Sequence, residues 1–103
     1  MQQGFIADKS LGYFQSAAAA VDAGATLASL VGGSIPAGTT RVKISVEAQA
    51  IRWRDDGTMP TAAIGMPQAV GTTLDYQERD LANLRFFGQA LGAILNITFY
   101  GTN

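Results

Sequence analysis

Residues 51–65, IRWRDDGTMPTAAIG, gather the most chemically capable side chains of this 103-residue chain: two arginines around the single tryptophan, then two adjacent aspartates before a glycine. A second acidic group follows in DYQERD, residues 75–80. Clustered carboxylates can share a proton, flank a glycosidic bond or hold a hard cation. The spacing favours none of these. Asp55 and Asp56 are consecutive, so on extended backbone they point to opposite faces. Before Gly57 they suit a turn in which the aspartate accepts from nearby backbone N–H groups. DDGTMPTAAIGM lacks the alternating oxygen donors and late glutamate of a calcium loop. DYQERD matches no ligand spacing and reads as a solvated loop. A carboxylate-dependent hydrolase would need two of Glu47, Asp55, Asp56, Asp75, Glu78 and Asp80 within about 5–9 Å in a cleft.

The remaining catalytic inventory is short. The chain has no histidine and no cysteine, so a Ser-His-Asp triad, a thiol nucleophile and a histidine- or thiolate-bound metal cannot be built. The glycines of GFIADKSLG and VGGSIPAG lack the closing Lys-Ser/Thr of a phosphate loop and read as turn glycines. The expectation is a non-enzymatic protein with no catalytic residue, no cofactor and no metal.

Arg52, Trp53 and Arg54 remain. Strand alternation places Trp53 on one face and both arginines on the other. One reading puts Trp53 in the core and pairs the arginines with carboxylates such as Glu47. The other uses the arginine face for salt bridges to a neighbouring subunit, since Trp and Arg dominate interface hot spots.

The elements that position these residues are legible in part. RVKISVEAQA, residues 41–50, alternates Val42, Ile44, Val46, Ala48 and Ala50 with polar residues, the period of a half-buried strand. Ile51 and Trp53 then move the apolar set to odd positions, which requires a bulge or bend near Ala50. AILNITFYG places Ala93, Leu95, Ile97 and Phe99 on one face and Ile94, Asn96, Thr98 and Tyr100 on the other, suiting a central or interface strand. A short strand is expected over residues 27–31, with turns at Pro36-Ala37-Gly38, Asp56-Gly57, Met66-Pro67 and Val70-Gly71. SAAAAVDAG, residues 16–24, favours helix but is too short to stand without tertiary support, and an extended arm is the alternative. DLANLRFFGQALGAIL has leucines at helical spacing, but Gly88 and Gly92 weaken a helix. The favoured reading there is a turn at 78–82, a strand at 83–88, a second turn and the last strand. Turn signals every 8–12 residues predict an all-β fold: a single antiparallel β-sandwich or barrel, jelly-roll- or Greek-key-like, over residues 26–103. Residues 1–25 form a weakly structured N-terminal arm in this reading.

Composition constrains the partners. Charged residues make up 15% of the chain and the net charge is -1, against roughly 25% charged residues in an average soluble domain. The only charge between Ser10 and Thr40 is Asp22, and none follows Arg85. A neutral surface is poorly protected against self-association, so a homo-oligomer is expected. Seven scattered basic residues argue against nucleic acid. No basic-then-apolar leader and no run of 18 apolar residues appears, so no cleaved signal and no membrane partner is expected. The candidate interface residues are Arg52, Trp53, Arg54, Phe99 and Tyr100, on the last strand and the arginine face, together with the uncharged N-terminal segment.

IPAGTTRVKISVEAQAIRWRDDGTMPTAAIGMPQAVGTTL, followed by LRFFG and ILNITFY, resembles small structural proteins of tailed bacteriophages and prophages. In those, an Arg-aromatic-Arg strand runs into an Asp-Gly turn and a Pro-Thr step, and the chain ends in a tyrosine-rich strand. The resemblance covers roughly residues 35–100. It implies a virion component that assembles in the host bacterial cytoplasm: a capsid cement or decoration protein bound to the major capsid protein, or a head-tail or tail accessory protein. A carbohydrate-binding tail or fibre module is the alternative, and it calls for an exposed Trp53 or Tyr76 platform.

Overall fold

The computed structural model describes residues 9–77 and 81–101. The elements are β1 (Lys9–Gln15), α1 (Ala18–Asp22), β2 (Ala25–Thr26), α2 (Leu27–Leu30), β3 (Thr39–Glu47), β4 (Ile51–Arg54), β5 (Met66–Gln68), β6 (Thr73–Tyr76), β7 (Arg85–Gly88) and β8 (Ile94–Gly101), with a 3-10 turn at Leu81–Asn83. They form two antiparallel four-stranded sheets, ordered β1-β8-β3-β6 and β2-β7-β4-β5. β1 pairs with β8, β2 with β7, β3 with β6 and β4 with β5. The second half of the chain is therefore laid back along the first in reverse order. The β3–β8 and β4–β7 pairings complete the sheets. A mostly β fold of two antiparallel sheets is thus as expected.

The long strands follow their sequence period. Val42, Ile44 and Val46 of β3 and Leu95, Ile97 and Phe99 of β8 are buried, and they share one core with Ile51 and Phe86 of the other sheet. Burying side chains of this kind contributes roughly 1.5–3 kcal/mol each. β8 lies between β1 and β3, the central place its two-sided apolar pattern predicts.

The expected break near Ala50 is present, as a bend at residues 48–49. β3 ends at Glu47 and the chain re-enters as β4 in the other sheet. The buried positions move from even to odd because the second sheet faces the core from the opposite side. Ala48 makes this corner with φ of 75°, a left-handed conformation that costs a residue with a Cβ roughly 1–2 kcal/mol. Part of any gain from glycine is lost to the freer unfolded chain. Ala48→Gly is therefore expected to raise the urea midpoint by a stability equivalent of about 0.5–1 kcal/mol, and an unchanged midpoint would refute strain at the corner.

Three local expectations need correction. Residues 27–31 are not a strand. Thr26 Oγ1 accepts from Ser29 N at 3.1 Å, Thr26 N donates to Ser29 Oγ at 3.1 Å, and this reciprocal cap starts α2 with Leu27 and Leu30 buried. Met66-Pro67 is not a turn but lies in β5, an edge strand, where a residue without an N–H is tolerated. Residues 9–25, expected within an arm, are integrated into the fold. β1 pairs with β8 from Lys9↔Gly101 to Gln15↔Asn96, with an irregularity between Ser10 and Gly12. α1 gains the tertiary support its length requires, because Val21 is fully buried and Asp22 Oδ1 accepts from Gly92 N at 2.9 Å. Residues 1–8 lie outside the described residues.

Candidate interaction surfaces

β4 ends where the acidic loop begins, and its alternation is as the sequence implies. Ile51 and Trp53 face inward. Trp53 is half-buried against the core and meets Tyr76 of the facing sheet edge-on, with ring centroids 5.9 Å apart. Its indole Nε1 is buried with no acceptor among the described residues. Neither ring forms the exposed platform that a glycan-binding reading requires.

Arg52 and Arg54 face the other way, but Glu47 partners neither, accepting instead from Asn96 Nδ2 at 2.9 Å. Arg52 Nε donates to the carbonyl of Ala62 at 3.1 Å and Nη1 to that of Gly65 at 2.9 Å. A planar guanidinium with several donors suits two divergent carbonyls. Within the same loop, Thr61 Oγ1 accepts from Ala63 N and Ile64 N, Thr61 N donates to Ile64 O, and Pro60 is fully buried. Residues 55–65 are thus a wired loop with Arg52 as its clamp.

Arg54 forms a two-pronged ion pair with Asp56, and Asp56 Oδ1 also accepts from Thr58 N at 3.2 Å. The hydrogen bond from Arg54 is the main cause that lowers the Asp56 pKa below its ordinary value, and the bond from Thr58 adds to it. A lowered folded-state pKa stabilises the fold above the unfolded value of about 3.9, and that contribution is lost as pH falls through the folded value. The pair is exposed, so its effect on stability is small. The clearer measurement is the Asp56 titration by NMR: Arg54→Ala is expected to move its midpoint up towards the unfolded value, and an unmoved midpoint would rule out the pair as its cause.

Asp55 points away from this pair, and its Oδ2 accepts from Tyr76 Oη at 2.6 Å. Arg54, Asp55, Asp56, Ile64, Gly65 and Met66 line an open cleft of about 260 Å³. Of the other carboxylates weighed for hydrolysis, the described Glu47 and Asp75 do not line this cleft. Asp75 lies 3.6 Å from Arg41 on the outer face of the first sheet, Glu78 and Asp80 lie outside the described residues, and no group of three metal-binding side chains occurs among the described residues.

The two interface candidates on β8 part company. Phe99 is fully buried and packs edge-on against Phe14 at 5.9 Å, so it belongs to the core and presents nothing to a partner. Tyr100 lies on the outer face with the Arg41 guanidinium 4.7 Å above its ring. Beside it, Asn96 Oδ1 accepts from Tyr13 Oη at 2.6 Å and Gln15 Nε2 at 3.1 Å.

The surface that sequence reasoning missed lies at one end of the two sheets. The registers Glu47↔Ile94, Gln15↔Asn96, Ser45↔Thr73, Ile51↔Gly88 and Ile51↔Gln68 bring segments 16–24, 48–50, 69–72 and 89–93 to that end. Gln89 N donates to Ala50 O and Gly71 N to Val46 O, tying neighbouring segments together. Leu91 is 80% exposed and Val70 50%. The four segments contain one charged residue, Asp22, which is turned onto Gly92 N. The absence of charge was readable in the sequence, but the convergence of the segments was not. Comparison with protein-family models, with curated proteins and with solved structures finds no match.

Proposed function

We propose that this chain is a non-enzymatic structural module of a bacteriophage particle, a capsid cement or decoration protein that oligomerises and binds the shell. The charge-free end carries this reading. An exposed leucine and valine among alanines and glycines, with Asp22 turned onto Gly92 N and Glu47 bonded to Asn96 at the margin, suits a contact repeated at every subunit. Support also comes from the reversed pairing of eight strands over two sheets, the order produced by winding one long hairpin. We read this as a jelly roll, an architecture used in viral capsids and lectins, although architecture alone does not assign a function. The expected mechanism is mechanical: copies bridge neighbouring shell proteins and add many small areas of apolar contact.

Light scattering over a dilution series tests the self-association. A stable trimer or other closed oligomer that Leu91→Asp converts to monomer is expected. A monomer at every concentration would overturn it. Quantitative mass spectrometry of purified particles tests the location: copy numbers comparable to the shell subunit support decoration, whereas a handful per particle would move the proposal to the neck or tail.

A further inference from the structure

The cleft between the acidic turn and β5 lies at the opposite end of the sheets from the charge-free surface. Its two halves differ in chemistry. One wall is Ile64 and Met66, exposed by 61% and 56%, large apolar side chains with no charged residue near them in the stretch from Gly57 to Leu74. The other is the Arg54–Asp56 pair and Asp55. Arg54 and Asp56 neutralise each other and use their facing atoms in doing so. Among the described residues lining the cleft, one negative charge remains, on Asp55. Its Oδ2 is taken by Tyr76, while Oδ1 accepts no hydrogen bond among the described residues. At about 260 Å³ the space is smaller than the roughly 300–1,000 Å³ of small-molecule sites, and it suits a single side chain.

We propose that this cleft seats an arginine side chain of a partner protein, with the aliphatic stem on Ile64 and Met66 and the guanidinium on Asp55 Oδ1. The occupant follows from charge complementarity. A lone carboxylate beside an apolar wall selects a cation with an apolar stem, and a weakly hydrated guanidinium loses less than an ammonium on approaching that wall. The Met66 thioether chain adapts to the contact. This inference rests on reading the chain as a binding module of an assembly and names the chemistry of its partner contact.

The test uses the full chain and the probe N-acetyl-arginine N-methylamide, with the uncharged citrulline analogue as control. Amide NMR shifts of Asp55, Ile64, Gly65 and Met66 are expected to move saturably with the arginine probe, with an affinity about three- to fivefold above the citrulline probe, as fits an exposed ion pair. Tyr76 links Asp55 to Trp53, so the emission of the single tryptophan should follow the same curve. Asp55→Asn should abolish the preference for arginine, and Met66→Ser, which leaves the Tyr76 contact intact, should weaken both probes alike. Equal response to the two probes, or no saturable shift at the cleft, would overturn the proposal. So would cleft shifts that depend on protein concentration alone, since the occupant would then be a second copy. Light scattering on the same samples separates the two readings: an oligomer without arginine preference removes only the cleft, and a monomer with it removes only the self-association.

Discussion

Phe99→Ala is expected to cost about 3–5 kcal/mol of unfolding free energy. The ring is fully buried on β8, which is flanked by β1 and β3, and packs edge-on against Phe14, so its removal leaves a cavity in the core. With about 4–8 °C lost per kcal/mol in a domain of this size, calorimetry should show the transition falling by roughly 12 °C or more. Tyr100→Ala, one residue along and on the outer face, gives up mainly its contact with Arg41, worth about 0.5–1 kcal/mol at an exposed site. A Phe99 variant no less stable than the Tyr100 variant would mean that β8 presents the opposite face to the core.

Gly65→Ala is expected to cost about 2–4 kcal/mol, from backbone strain and crowding together. Gly65 has φ of +138°, and an added Cβ would lie 2.9 Å from Pro60 Cβ and 3.0 Å from Arg52 Cβ, within the loop that Arg52 clamps. Gly71 is the control: its φ is +84°, but a Cβ there meets nothing within 4 Å. Gly71→Ala should therefore show only the backbone cost of about 1 kcal/mol. Urea unfolding of the two variants measures the difference, and the Arg52 Nε proton resonance should lose its shift only in the Gly65 variant. Equal losses would show that the loop yields freely around residue 65.

How much of this was readable in the sequence depended on strand length. β3 and β8 run for nine and eight residues, long enough for period two to declare itself, and the phase change after Ala50 marked the passage between sheets. β5 has three residues and includes Pro67, so turn chemistry masked an edge strand. LASLV was ambiguous because a short apolar run fits either a strand or a turn of helix. The Thr26–Ser29 cap that decides it is a weak signature without an acidic third residue. At the candidate surfaces, the opposition of Trp53 to Arg52 and Arg54 was legible. The partners of the arginines were not, since Arg52 bonds to main-chain carbonyls ten and thirteen residues away, and carbonyls leave no trace in a residue pattern. The same holds for the apolar wall of the cleft, which exists only because the loop returns Ile64 and Met66 beside Asp55.

The reversed pairing of the strands also governs when the protein can finish folding. β1 finds its partner only in β8, across 83 residues between Tyr13 and Asn96. β2 likewise waits for β7. During synthesis the first strands emerge with no mate, and the innermost pair, β4 with β5, is too short to stand alone. Loop closure of this span places the chain among slow, non-local folders. Completion must then follow release of the last strand from the ribosome. Until then the chain passes through a population with open strand edges, the form most exposed to edge-to-edge pairing.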